Sequence, residues 1–376
     1  MFGHRWRLFR LLGIPINLDA SWIIILVLIA WSLGEQFRKD YGMGSASPWI
    51  MGLVAALAFF CCIVLHELGH SVVARAFGMP IRGITLFLFG GVAELEGEPP
   101  SAGVEFLMAI AGPVVSFVLA ILFGCLYLIG TASAWPAEVI GVLEYLGFIN
   151  AVVLVFNMVP AFPLDGGRVF RSILWGATGD LRRSTHWAAL IGQGFAYLLI
   201  CLGVIQFFFG MWWSGIWMAL VGLFLNSAAR SSYRQVLVRE ALQGEPVRLF
   251  MSTHPIVVPP SLDLRGWVED YVYRYNRKFF PVASNGHIEG VISTRALADY
   301  PREEWSQHTV GEVMAHDVAA ASIPPDADAL HALGKMQRNG LSRLLVTDGD
   351  QLVGIVSLKD LLRFLDQKIE LEGLGR

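Results

Sequence analysis

The sequence predicts a polytopic α-helical membrane protein, six transmembrane helices with a re-entrant β element, followed by a soluble α/β unit built from an internal repeat. Three observations carry this. Of 376 residues, 55% are hydrophobic and only 16% charged, too apolar a balance for an ordinary soluble chain. The apolar residues gather in long uncharged runs before about position 230, whereas the remainder has the mixed composition of a soluble domain. That remainder repeats with a period of about 64 residues.

The candidate spans are residues 20–34, 49–77, 104–129, 139–159, 187–209 and 211–229. The first is short and needs its flanks to cross a bilayer; the second is long enough to protrude from one. The last two form a hairpin with a tight turn at Gly210. Glu35, Arg38, Lys39 and Asp40 separate the first apolar stretch from the small residues at 45–47, which favours a retained anchor over a cleaved signal. Basic residues collect before span one (Arg5, Arg7, Arg10) and after spans two (Arg75, Arg82), four (Arg168, Arg171, Arg182, Arg183) and six (Arg230, Arg234, Arg239). Positive residues mark the cytoplasmic side. Both termini and the end of span two, which holds His66-Glu67-Leu68-Gly69-His70, are therefore expected on the cytoplasmic side of the membrane, read as a prokaryotic plasma membrane. The four cysteines, Cys61, Cys62, Cys125 and Cys201, all lie in apolar runs and match neither a disulfide framework nor a zinc ribbon.

Residues 84–93, Ile-Thr-Leu-Phe-Leu-Phe-Gly-Gly-Val-Ala, are β-prone but too short to span. They read either as a re-entrant strand or hairpin, sheltered by protein or a watery cavity, or as an interfacial loop. In the repeat, Met251, Val258-Pro259-Pro260, Phe280-Pro281-Val282 and Gly290-Val291-Ile292-Ser293 are echoed by Met314, Ile323-Pro324-Pro325, Leu345-Val346 and Gly354-Ile355-Val356-Ser357. Turns at 284–286 and 347–349 suit tight hairpins. The expected organisation is a membrane domain over 1–230, a linker over 231–245, and repeat copies over 246–305 and 306–370.

The chemistry centres on His66-Glu67-Leu68-Gly69-His70, inside an apolar segment whose residues 50–65 carry no charge. Positions i and i+4 share a helical face, so His66 and His70 can reach one metal ion. Glu67 stands beside them, placed to take a proton from an attacking water. Ionisable groups at membrane depth are costly and point to function. Cys62 shares the face, but Cys62, His66 and His70 span about 12 Å, too far for three ligands on one straight helix.

A catalytic zinc takes three protein ligands and keeps a fourth position open. Asp165, in Asn157-Met158-Val159-Pro160-Ala161-Phe162-Pro163-Leu164-Asp165-Gly166-Gly167, is the best third ligand; the other reading is that it caps a cytoplasmic helix after the Pro-rich turn. Pro160 and Pro163 break span four near its cytoplasmic end. Spans two and four both run inward, which brings Asp165 to the depth of His66 and His70. His186, Glu94, Glu96 and Glu98 are weaker rivals because they fall in interfacial loops. Asn157 either donates to a developing oxyanion or the peptide backbone or makes an interhelical hydrogen bond. The small residues Ala111-Gly112-Pro113 suit close helix packing.

Taken together, these residues resemble the site-2 proteases, intramembrane zinc metalloproteases, of the subgroup with a C-terminal pair of CBS domains. The resemblance is carried by Gly13-Ile14-Pro15 with Ser21-Trp22, by His66-Glu67-Leu68-Gly69-His70, by Phe89-Gly90-Gly91-Val92-Ala93, by Ala111-Gly112-Pro113, and by Asn157, Pro160, Pro163 and Asp165-Gly166-Gly167. It implies one Zn²⁺ per chain held by His66, His70 and Asp165, with Glu67 as general base. It also implies hydrolysis of a peptide bond in or next to the transmembrane segment of a membrane-protein substrate. Asn157 and the strand Gly90, Gly91, Val92 and Ala93 would hold that substrate. CBS pairs often bind ATP or another adenine nucleotide, and Ser357-Leu358-Lys359-Asp360 matches the motif whose Asp meets the ribose. In the first copy Ala296 stands where that Asp would be. A homodimer through the CBS pair is a further expectation, and nucleic acid is not an expected partner.

Two rival classes remain on the sequence alone: a nucleotide-sensing membrane receptor, or a metal transporter, each with a non-catalytic zinc site. Glu67 separates them from the protease, since neither needs a proton acceptor beside its ligands.

Overall fold

The structure is a computed structural model that describes residues 5–41, 47–95, 97–284, 287–349 and 351–372. Glu96 and the turn residues 285–286 lie outside them. The chain divides into two compact units, Met1–Arg234 and Gln235–Arg376.

The first unit opens with strands β1 (Arg5–Leu11) and β2 (Ile14–Asp19), then helices α1 (Ser21–Tyr41) and α2 (Ser47–Ala76). Strands β3 (Ile81–Phe87) and β4 (Gly90–Leu95) follow. Helices α3 (Ala102–Ala132), α4 (Ala137–Asn157), α5 (Asp165–Thr178), α6 (Leu181–Phe208) and the greater part of α7 (Trp212–Leu242) complete it, the last residues of α7 falling in the second unit. Six of these, all but α5, are long and apolar enough to cross a membrane. The 30-residue α2 is about 45 Å long, more than a hydrocarbon core needs. Apolar side chains cover its outer surface (Ile50, Leu53, Val54, Leu57 and Leu65 are exposed), as lipid contact requires. The protein is a multi-pass membrane protein.

Of the two readings of residues 84–93, the hairpin is the one that forms. It belongs to a four-stranded sheet ordered β1-β2-β3-β4, antiparallel at both ends and parallel between β2 and β3, with β4 on the edge. The pair β1–β2 was not expected from the sequence. Its signal is the alternation Ile14, Ile16, Leu18, all buried, which packs with Ile84 and Leu86 of β3 against Phe60 and Val64 of α2. The sheet is thereby fastened one turn from His66.

Span four ends as α4 at Asn157, before Pro160 and Pro163, and a cis Phe162–Pro163 peptide leads into α5. The helix α5 is a second feature the apolar pattern did not reveal, because its 14 residues include Asp165, Arg168 and Arg171. The turn between α6 and α7 is as tight as expected, with Gly210 at φ +86°.

The second unit carries short helices α8 (Leu264–Trp267), α9 (Val310–Val313) and α10 (Val318–Ala321), then α11 (Ala329–Arg338) and α12 (Leu358–Glu372). Its strands are β5 (Phe279–Ser284), β6 (His287–Ser293), β7 (Ser322–Ile323), β8 (Arg343–Asp348) and β9 (Gln351–Ser357), in the order β5-β6-β9-β8-β7. Residues 231–242, within the expected linker, are the end of α7. The repeat is visible in register: Phe279 pairs with Ser293 as Arg343 pairs with Ser357, and each hairpin has an irregularity at the same place, Val282/Ala283 and Val346/Thr347. The copies are interlocked. Ser252, after Met251 of the first, bridges Ile355 of the second, while Ala315, after Met314 of the second, bridges Val291 of the first.

Candidate metal centre

The helix α2 presents His66, Glu67 and His70 on adjacent positions of its last third, and α5 presents Asp165 as its first residue. His66, His70 and Asp165 are 5%, 4% and 9% exposed. His66 Nε2 lies 3.0 Å and His70 Nε2 3.2 Å from Asp165 Oδ2, and the two Nε2 atoms are 3.3 Å apart. Donors on a tetrahedron with arms of 2.0–2.1 Å are separated by about 3.3 Å. The three side chains therefore match three corners of a zinc tetrahedron on spacing alone.

The far side of each imidazole supports the same reading. His70 Nδ1 donates to the Met108 carbonyl at 2.6 Å, and His66 Nδ1 shares a 2.8 Å hydrogen bond with the Ser116 hydroxyl. A carbonyl only accepts, so His70 keeps its proton on Nδ1 and its Nε2 lone pair faces Asp165. Histidines that bind metal are held this way, the outer nitrogen fixing ring and tautomer. Both holders belong to α3.

The helix α3 comes this close because of Gly112. A Cβ at that position would collide with Nε2 of both His70 and His66. The Ala111-Gly112-Pro113 run is thus more than a packing device; it forms the wall of the site. Gly112, Ser116 and Met108 are the functional positions that the sequence reading missed. Ser116, a polar residue in an apolar span one turn after Gly112, was the available signal. Met108 had none, since it acts through its backbone.

Glu67 is half-buried, between the two histidines and the edge strand. A Cβ on Gly91 would lie 2.8 Å from Glu67 Cγ, so β4 passes directly over this side chain. The Ala93 backbone is within hydrogen-bonding reach of the carboxylate. Gly91 and Ala93 are therefore at the site. Asn157 is half-buried at the end of α4 and, among the described residues, makes no hydrogen bond to His66, His70 or Asp165.

The rival ligands are elsewhere. His186 makes edge-to-face contacts with Trp187 and Tyr233, Glu98 pairs with Arg171, and Glu94 accepts from Thr85 at 3.0 Å. Cys62 is buried beside Asn150. In the second unit Ser357 and Asp360 meet at the β9–α12 junction: the Ser357 hydroxyl and backbone N–H donate to Asp360 Oδ2 at 2.5 and 3.1 Å. Arg343 stands opposite Ser357 across the hairpin. Burial and the charge of Arg277 lower its guanidinium from the ordinary value, with Asp360 acting in the opposite direction.

Six membrane helices around a buried histidine pair and a carboxylate from a separate helix define an intramembrane metallopeptidase architecture. Comparison with known proteins agrees. The model of Peptidase family M50 matches residues 54–132 and 124–201, and that of the CBS domain matches 310–367. The sll0528 protein of Synechocystis sp. is 33% identical over 362 residues, 96% of this chain and 95% of that one. Zinc metalloprotease MJ0392 of Methanocaldococcus jannaschii is 31% identical over 371 residues, 97% of this chain and 98% of that one. Among solved structures, the site-2 protease from Methanocaldococcus jannaschii matches at 31% identity and a TM-score of 0.41, covering 61% of this chain and 94% of that one. The chain belongs to peptidase family M50, the site-2 proteases, and carries a CBS region.

Proposed function

We propose that the protein is an intramembrane zinc endopeptidase that cuts a peptide bond in or next to the transmembrane segment of another membrane protein. His66, His70 and Asp165 hold the zinc and Glu67 is the general base. The observation that carries this reading is the convergence of His66 Nε2, His70 Nε2 and Asp165 Oδ2 within 3.3 Å, with Glu67 next to them and under a strand edge. Zinc, when bound there, supplies Lewis acidity that polarises a carbonyl and makes water a nucleophile near neutral pH.

The chain's own residues do the rest. Glu67 takes the proton of the attacking water and returns it to the leaving amine. A transmembrane helix hides its carbonyls in its own hydrogen bonds, so the substrate has to unwind. The free edge of β4 at Gly90–Ala93 offers replacement bonds to the extended segment. Burial of the histidine pair limits competing water. Asn157 is assigned to substrate binding on the family resemblance.

The test is co-expression with candidate single-span substrates, comparing wild type with Glu67→Gln. The variant keeps zinc and loses about 10²–10⁴-fold in cleavage; undiminished cleavage overturns the assignment. The same variant excludes a receptor or a transporter, which would not need a base.

The basic residues after spans two, four and six support cytoplasmic termini in a prokaryotic plasma membrane. An adenine nucleotide at Ser357 and Asp360 is the accompanying regulatory reading. Arg343 lies close enough to feel both the like charge of Arg277 and the carboxylate of Asp360, and that pair of cationic groups favours an anionic ligand. Titration of ATP into the full chain, with Asp360→Ala as the control, tests it; equal heats from both proteins reject it.

A further inference from the structure

Three charged side chains are gathered at a point the mechanism does not use. Arg171, on α5, is 3% exposed; Glu105, in the first turn of α3, is fully buried; Glu98 lies between β4 and α3 and is 24% exposed. Arg171 Nε donates to Glu105 Oε1 at 2.6 Å and Nη2 donates to Glu98 Oε2 at 3.1 Å. Nη2 also contacts Glu105 Oε1. The guanidinium sits over the Phe162 ring at 5.1 Å from its centroid. Glu105 Oε2 is buried with no hydrogen-bond partner.

Burying such a cluster is costly, and an apolar replacement of a buried ion pair is often no less stable. A contribution to net stability does not account for it. Its position does. Arg171 is less than two turns from Asp165 on α5, and Glu105 is one turn before Met108 on α3, on the same helical face. Met108 holds the outer nitrogen of His70. The Arg171–Glu105 pair is therefore the strut between the helix that carries the carboxylate and the helix that orients the imidazole. The stack on Phe162 adds a second restraint, since it folds the turn before Asp165 back onto α5. Glu98 ties in the segment that follows the edge strand.

We infer that Arg171 and Glu105 are positioning residues of the metal centre, setting the distance of Asp165 from His70. A site of this kind tolerates only about 0.5 Å of error in its ligands. Nε and Nη2 converge on one oxygen, Glu105 Oε1, while Nη2 also reaches Glu98, so the planar guanidinium fixes distance and angle together, which a lysine ammonium does not.

The inference rests on the zinc reading above, and the test separates the two. Zinc affinity of the purified full chain is measured by competition with a chromophoric chelator, and the melting temperature of the zinc-free chain is measured beside it. Arg171→Lys and Glu105→Gln are expected to weaken zinc binding about 10–100-fold, with Glu98→Gln within about 2-fold of wild type because Glu98 lies on neither helix. A merely structural role lowers the zinc-free melting temperature and leaves the affinity of the folded chain unchanged; that result overturns the inference and leaves the proposed function standing. Equal weakening by Glu98→Gln also overturns it, since the cause would then be general charge. If Glu105→Gln does not fold, Arg171→Lys, which retains charge and stem, decides alone. Absence of zinc from the wild type defeats the proposed function and this inference together.

Discussion

Two places in this molecule gather polar groups that a ligand could use, and they are satisfied in opposite ways. At the β9–α12 junction Ser357 and Asp360 satisfy each other. Hydroxyl and amide of Ser357 donate to Asp360 Oδ2, and the Asp360 amide donates back to Ser357 Oγ at 3.3 Å. That is a helix cap, complete within four residues. At the membrane site each partner comes from far along the chain: Met108 is 38 residues from His70, Ser116 is 50 from His66, and Asp165 is 99 from His66. The bonds from Met108 and Ser116 occupy the outer nitrogens and leave both inner ones aimed at Asp165. Local partners explain the first arrangement without a ligand. Nothing local explains the second, and this is why the metal reading is much the stronger of the two.

The first repeat copy sharpens the contrast. Where the second has Asp360, it has Ala296, and its counterpart of α12 is a six-residue 3-10 segment, Thr294–Asp299, with no side-chain cap. The 15-residue α12 follows the capped junction. The Ser–Asp pair therefore has a structural use in this chain that is independent of nucleotide.

Three substitutions probe the comparison. The largest effect is expected from Gly112→Ala. Its methyl would enter the space of both Nε2 atoms, so zinc affinity by chelator competition should fall about 100-fold or more, while Gly194→Ala, where a Cβ meets open space, leaves it unchanged. Next comes Ser116→Ala, which frees His66 to rotate and is expected to weaken zinc about 10–100-fold without changing the helical content. Retained affinity in that variant would mean that the outer hydrogen bonds do not orient the ligands. The smallest is Asp360→Ala, where loss of the cap should lower the stability of the second unit by about 1 kcal/mol in denaturant unfolding without nucleotide. A nucleotide-free stability equal to wild type would remove the cap reading and strengthen the case for a ligand there.

Much of this was legible in the sequence, and the rest was hidden for definite reasons. The six spans follow from uncharged length, and HExxH with Asp165 follows from helical spacing and from the proline break after Asn157. The pair β1–β2 was hidden because Arg5, Arg7 and Arg10 read as orientation charges, and because β2 finds its parallel partner β3 more than sixty residues away. The helix α5 was legible only as the helix that Asp165 would cap, and its extent was hidden because a short amphipathic helix has no apolar run. The orienting bonds of His66 and His70 were hidden because one comes from a backbone carbonyl, which any residue supplies. Arg171 counted only as a positive charge near the membrane; its burial with Glu105 is a tertiary fact that no local pattern records.

The central claim is that side chains from α2 and α5 share one divalent cation within the membrane unit. Metal analysis of the purified full chain, wild type beside Asp165→Ala, tests it most directly. The account requires about one zinc per wild-type chain, as the one three-ligand group among the described residues implies, and strong depletion in the variant at unchanged helical content. A wild type free of metal, or a variant as zinc-rich as the wild type, contradicts it.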